Sequence, residues 1–224
     1  MRVLAVETST LAGGVALLDG DRLVGEYLLD VRVTHSERLM AAIDRVLADA
    51  HWTIGDLEGL AVAIGPGSFT GLRIGIGTVK GLALARPILV AAVPTLDAMA
   101  AGLPFASLPV CPVIEARKGE VYASRYRWEG TTMRREWEYI AVAPADLAGR
   151  LGEPTILLGD AATAIVSPHV RLAPPARRLP SPASVGQLGI ECLARGDTIA
   201  PAELVPLYLR PSQAELKRRD VAVH

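Results

Sequence analysis

An α/β protein built from two successive copies of one β-β-β-α-β-α-β-α unit is predicted by three observations. Short apolar runs bounded by turn residues alternate with longer runs of helical spacing. Asp19-Gly20-Asp21 between two apolar stretches is a strong hairpin signal near the start. The order of strands and helices read from residues 1–101 then recurs beyond Gly102–Pro109, whose composition is that of a boundary.

In the first copy Val3–Val6 is a buried strand, and Val15–Leu18 and Leu23–Leu29 are the arms of the hairpin. Ser36–Ala50 is a helix, because Leu39, Met40, Ile43, Val46, Leu47 and Ala50 keep the spacing of one face. Ser36 is its expected N-cap, with Glu37 in the first turn where negative charge suits the helix dipole. Leu60–Ile64 is a strand, Leu72–Arg86 a helix with Ser68 and Thr70 as candidate caps, Ile88–Val93 a strand and Thr95–Ala101 a short helix. In the second copy Val110–Ala116, Val121–Trp128 and Met133–Ala141 are the three strands, the last two joined around Glu129-Gly130. A helix at Pro144–Leu151, a strand at Thr155–Leu158, a short helix at Asp160–Val166, a strand at Val170–Ala173 and a helix at Ser184–Arg195 follow, the last ended by Gly196. Such a duplication is that of two actin-like, ribonuclease-H-like subdomains facing each other; its three-strand start separates it from a doubly wound dinucleotide fold. The expected boundaries are an N-terminal subdomain 1–102, a C-terminal subdomain 103–200, and a tail 201–224 packing back on the first subdomain.

Half of the 224 residues are apolar, enough for a sizeable core. Net charge is −1; residues 1–100 hold 8 basic and 11 acidic side chains and residues 101–224 hold 15 and 13, so charge gives no case for gripping nucleic acid unaided. Cys111 and Cys192 lie far apart in apolar surroundings, as reduced core residues of a cytoplasmic protein do. The histidines are scattered, without metal-ligand spacing, and no metal is expected. Glu7-Thr8-Ser9-Thr10 interrupts the first apolar run, which argues against a signal peptide, and no uninterrupted apolar stretch reaches membrane-spanning length.

The stretch Gly65-Pro66-Gly67-Ser68-Phe69-Thr70-Gly71-Leu72-Arg73 joins a strand to a helix. Two readings are open: backbone N–H groups set out for an anion, or a tight turn that needs glycine. The Gly-Lys-Ser/Thr ending of a phosphate-binding P-loop is absent. Gly75, Gly77 and Gly81 lie inside the helix, each costing roughly 1 kcal/mol relative to alanine. Glycines four apart let another backbone approach, so a tightly packed partner helix is expected, in this chain or another.

These segments resemble the bacterial TsaB (YeaZ) family. The resemblance rests on Met1–Thr10, Gly65–Gly75 with Lys80-Gly81-Leu82-Ala83, Glu115–Tyr122 and the closing Pro206-Leu207-Tyr208-Leu209-Arg210. It implies an actin/sugar-kinase/chaperone-ATPase (ASKHA) fold and a non-catalytic subunit of the complex that installs threonylcarbamoyl on the adenosine next to the anticodon of tRNAs reading codons that start with A. It implies TsaD, the catalytic relative, as heterodimer partner, TsaE as the ATPase of the ternary complex, a homodimer in isolation, and tRNA met through the complex. No cofactor is implied for this chain alone, ATP or ADP entering with the complex. Glu7 and Glu115 stand where aspartate is commoner, which weakens any claim to ATP hydrolysis.

The resemblance also implies partner contact through the helices 36–50 and 71–86, with Leu39, Met40, Ile43, Gly77 and Gly81 on the surface and Arg73 and Lys80 at its rim; for most of Leu39, Met40 and Ile43 the plainer reading is packing on the sheet. Glu7, Thr8, Ser9, Gly67, Ser68, Thr70 and Glu115 are the expected remnants of a nucleotide or phosphate site. Arg125, Arg127, Arg134, Arg135 and Lys217-Arg218-Arg219 are candidate tRNA contacts, against the plainer reading of a solvated sheet face. The alternative function is enzymatic: a small ATPase or kinase of the actin-like fold, or a peptidase.

Overall fold

The computed structural model describes residues 1–30 and 35–209; the expected Ser36 side-chain cap and the Lys217-Arg218-Arg219 run lie outside the described residues. Two mixed sheets form the framework. The first contains β1 (Arg2–Glu7), β2 (Ala12–Asp19), β3 (Arg22–Asp30), β4 (Gly59–Gly65) and β5 (Leu89–Pro94), in the order β3-β2-β1-β4-β5. β1, β2 and β3 pair antiparallel through the hairpin predicted at Asp19–Asp21; β4 and β5 continue parallel to β1.

Period-two alternation gives this sheet two apolar faces. Leu4, Val6, Leu60 and Val62 point to one side, where α1 (His35–Asp49) and α2 (Phe69–Ala85) cover them with Ile43, Val46, Ile76 and Val79. Val3, Ala5, Ala61 and Ala63 point to the other, against Val185 and Leu193 of a helix from the end of the chain. A third helix of the first copy, α3 (Thr95–Ala101), leads into the second sheet.

The second sheet contains β6 (Val110–Glu115), β7 (Val121–Ala123), β8 (Tyr126–Glu129), β9 (Thr132–Arg135), β10 (Ile140–Val142), β11 (Thr155–Leu158) and β12 (Val170–Leu172). Its path β10-β7-β6-β11-β12 repeats the strand order of the first sheet, so the duplication is present. The expected strands 121–128 and 133–141 are each broken in two. The Arg125 carbonyl accepts from both the Glu136 and Trp137 N–H groups, a bulge that ends one ladder and starts the β8–β9 hairpin. α4 (Pro144–Arg150) follows, proline in its first turn; the expected helix at 160–166 is only a 3-10 turn at Ala162–Ala164.

α5 (Pro182–Arg195) starts at the Ser181 cap and ends at Gly196, whose φ of 79° is the left-handed conformation glycine allows. The expected boundary at 103–200 assigns this helix to the second subdomain, but it lies on the first sheet. The reason is steric. A Cβ on Gly189 would run into the Ala61 side chain and one on Gly186 into Leu18, while the sheet offers Ala5, Ala61, Ala63 and Ala91 beneath them. Beyond it the Ile199 N–H donates to the Val90 carbonyl at 3.0 Å, Leu204 is fully buried among α1 and α2 residues, and the Leu207 N–H donates to the Ile64 carbonyl at 2.7 Å.

Gly189→Val should therefore destabilise the protein by about 2 kcal/mol or more, because overpacking cannot relax against a sheet backbone. Urea unfolding of the variant checks this; an unchanged midpoint would show α5 is free to lift.

Candidate functional site

The C-terminal end of β1 and the N-terminal end of α2 meet at two turns. β1 ends in Glu7-Thr8-Ser9-Thr10, and all four side chains are buried, none more than 6% exposed. The glycine-rich turn is laid directly on top of them. The Ser68 N–H donates to the Ser9 carbonyl at 2.6 Å, and the Thr8 hydroxyl donates to the Gly71 carbonyl at 2.8 Å. A Cβ on Gly67 would overlap the Ser9 carbonyl, and one on Gly75 the Thr8 hydroxyl oxygen. These two glycines are thus explained inside the chain.

Ser68 is the cap: its Oγ accepts from the Gly71 N–H at 3.2 Å, while Thr70 is exposed. The anion-cradle reading required open N–H groups. Here the Ser68 N–H and the Gly71 N–H are spent on Ser9 and on the cap, and the hydroxyls of the β1–β2 turn are sealed. Two of the donors that this turn would offer an anion are thus taken within the chain.

Glu7 is fully buried. One carboxyl oxygen accepts from the Ser9 N–H at 2.5 Å; Glu7 Oε2 and the Ser9 Oγ have no hydrogen-bond partner among the described residues. Burial pushes the Glu7 carboxyl up to about 7, partly offset by the Ser9 and Thr8 hydrogen bonds. Its counterpart in the second copy, Glu115, is exposed, and its N–H donates to Asp160 Oδ1 at 2.9 Å. Burial, with the Glu115 charge beside it, raises Asp160 as well. Glu7 and Glu115 therefore sit in opposite environments, and acid–base work by the two together would require the sealing turn to open.

Gly159 ends β11 as Gly65 ends β4, each at φ 112° with a backbone carbonyl (Val113 or Leu207) against the missing side chain. Gly159 and Asp160 were not singled out from sequence; aligning the two copies strand by strand would have found them.

The α2 face turned away from the sheet is different. Gly77 and Gly81 have nothing within 4 Å of where a Cβ would stand. With Arg73 and Leu84, itself 77% exposed, they form one stripe. On α1, Met40 is 44% exposed, but Leu39 and Ile43 are core residues at 5% and 0%. Those two belong to packing inside the chain, because α1 lies on β2 and β3 and against α2.

Arg73 and Lys80 are engaged within the chain. Arg73 lies 3.9 Å over the Phe69 ring and donates to the Tyr208 hydroxyl at 3.2 Å; Tyr208 stacks on Phe69 with ring centres 5.4 Å apart. Arg117, from the second copy, lies 5.8 Å from the same ring, and Lys80 reaches the Ala202 carbonyl at 3.4 Å. Phe69 and Tyr208 were quoted as motif residues only; their pairing across the chain has no signal in sequence.

Each of the four candidate tRNA arginines on this sheet has a carboxylate beside it, and Arg134 and Arg135 stay exposed. Arg125 and Arg127 both lie 2.7 Å from Glu136 and also reach Glu153, at 3.4 and 2.6 Å. Arg134 meets Glu129 at 3.2 Å, and Arg135 meets Asp97 at 3.8 Å. Among the described residues there is no group of three metal-ligating side chains and no helix long and apolar enough to cross a membrane.

Two repeated sheets of this order define an actin-like α/β fold. A solved activator of 2-hydroxyisocaproyl-CoA dehydratase from Clostridium difficile, with bound ADPNP, shares the fold alone: TM-score 0.55 and 8% identity over 88% of this chain and 97% of that one. A closer relationship fixes the family. Residues 30–215 match the model of TsaD: tRNA N6-adenosine threonylcarbamoyltransferase. The tRNA threonylcarbamoyladenosine biosynthesis protein TsaB of Bacillus subtilis is 32% identical, with 97% of each chain covered. YeaZ from Pseudomonas aeruginosa superimposes with a TM-score of 0.77 at 28% identity over 93% of this chain and 99% of that one. The chain belongs to the TsaB (YeaZ) family.

Two outcomes are expected from this site. Because the folded state holds the Glu7 proton more tightly than the unfolded chain, its contribution to stability is full below about pH 4.5 and is lost as pH rises towards 7. Glu7→Gln should flatten that slope and raise stability at pH 8 by on the order of 3 kcal/mol. Denaturation across pH 5–8 measures it, and parallel curves for the two proteins would refute the assignment. Second, replacing Arg125 and Arg127 by Ala should leave the salt dependence of tRNA binding by the assembled complex unchanged, since neither charge is free to displace a counterion.

Proposed function

We propose that the chain is a non-catalytic scaffold or activator subunit of the complex that transfers threonylcarbamoyl to the adenosine next to the anticodon, acting through a TsaD partner. The chain takes part in tRNA threonylcarbamoyladenosine biosynthesis, the process for which its curated relatives are named. The observation that carries the finer reading is the bare stripe on α2. Gly77 and Gly81 weaken the helix by roughly 1 kcal/mol each and relieve no contact among the described residues. A second helix backbone laid along the stripe, with Leu84 and Met40 as apolar flanks, gives both glycines a use. The sealed turn over Thr8 and Ser9 supports a role without ATP turnover by this chain alone.

The same stripe is available to a second copy when no partner is present, which makes homodimer and heterodimer mutually exclusive. ATP or ADP, and TsaE, then enter with the complex.

Gly77→Leu separates folding from binding. It should leave the isolated chain at least as stable, because leucine is the better helix former and meets open space. It should abolish co-purification with TsaD and the tRNA modification reconstituted from this chain, TsaD and TsaE with threonylcarbamoyl-adenylate supplied. Retained heterodimer with the variant would move the interface elsewhere. Sustained ATP hydrolysis by the chain alone would replace the scaffold reading by an enzymatic one.

A further inference from the structure

The second sheet carries a groove that the partner stripe does not use. It is an open cavity of about 410 Å³ with apolar walls from Leu103, Pro104, Ile156, Leu172 and Pro174, and Arg177 at its rim. It runs beside β12, which has no neighbour on its outer side among the described residues. On the inner side the Thr155 N–H donates to His169 and the Ala173 N–H to Leu157. Alternation therefore turns the N–H and C=O of Leu172 outward, and its side chain is 43% exposed.

Two of the three segments that line this groove lack acidic side chains. From Ala161 to Ile190 the chain has no Asp or Glu, and from Ala98 to Ile114 it has no charged residue. Arg171 donates only to the Pro168 and Val170 carbonyls, and Arg178 to the Ala173 carbonyl at 2.7 Å. Those bonds fix the side chains without neutralising them, unlike the paired arginines on β8 and β9. Arg177 is exposed and has no ion pair among the described residues. Glu26, which reaches the start of α5, is held there by the Ser181 hydroxyl and the Ala183 N–H at 2.7 and 3.1 Å.

We propose that this groove and the free edge of β12 are a docking site for an extended, acidic segment of a partner protein. Its backbone pairs with Leu172, alternate apolar side chains enter the groove, and carboxylates between them meet Arg171 and Arg177. The leucine and proline walls favour a peptide over RNA, which would find cations here but no exposed platform inside the groove. The chain's own residues 210–224 are the wrong occupant by charge, with four basic and two acidic side chains. The inference is independent of the α2 interface.

The test uses the full chain and labelled, terminally blocked hexapeptides alternating valine with glutamate, lysine or serine, read by fluorescence anisotropy. The glutamate peptide should bind saturably in the micromolar range, and the lysine peptide at least tenfold more weakly. Arg171→Glu combined with Arg177→Glu should invert that order without moving the thermal midpoint, since both positions are exposed. Methylating alternate backbone nitrogens of the glutamate peptide should abolish binding, because a groove without strand addition would tolerate it. No saturable binding, or binding indifferent to the double substitution or to methylation, overturns the proposal. Tighter binding of a hexamer of single-stranded oligouridylate, lost in the same double variant, overturns it in favour of a nucleic-acid surface.

Discussion

The contact between Ser68 and Ser9 is the constraint on which the rest of the molecule depends. One backbone hydrogen bond brings a glycine-rich turn down on the end of β1, and only glycine at 67 and 75 allows the approach. Once that turn is seated, Glu7, Thr8 and Ser9 leave solvent, α2 is fixed over the sheet by the Thr8–Gly71 bond, and its opposite face is presented outward. What looks from composition like a phosphate cradle acts as a seal. The same glycine chemistry serves two ends on one helix: Gly75 admits the chain's own strand, while Gly77 and Gly81 leave room that none of the described residues fills.

The C-terminal segment ties this arrangement together. Leu207 pairs with the end of β4, Leu204 completes the core under α1 and α2, and Tyr208 stacks on Phe69 beneath the Arg73 guanidinium. Arg117 brings the second sheet to the same aromatic ring. The N-terminus of α2 is thus held by β1, by the tail and by the second copy at once. Arg73 and Lys80, read from sequence as rim contacts for a partner, are oriented by these contacts; any partner would meet them already placed.

Much of this was legible in the sequence because the physics is local. The hairpin at Asp19–Asp21, the face of α1 and the Gly196 stop follow from turn chemistry and periodicity, and the strand order follows from the repeat. Four things were not legible. Leu39 and Ile43 share a helical pattern with Met40, and a pattern does not say which of its members sits at the water edge. The breaks at Ser124–Arg125 and Glu136–Tyr139 come from one carbonyl, that of Arg125, accepting two donors, a tertiary event. Arg125 and Arg127 read as candidate RNA contacts or a solvated sheet face because nothing local says that Glu136 and Glu153 close on both of them. The home of α5 was hidden in its glycines, which are meaningful only beside the alanines of the other half.

That crossing of α5 has a consequence for how the chain is made. Its Ala-rich face of the first sheet has no cover until residues 182–195 exist, and the opposite core lacks Leu204 until later still. Five strands synthesised early therefore wait on a helix synthesised late. The two sheets are threaded into one cooperative unit by roughly the last fifth of the polypeptide, and an emerging N-terminal half carries a bare alanine surface through most of translation. Contacts so remote in sequence slow the final closure, which makes the nascent chain a natural client of chaperones that shield apolar sheet faces.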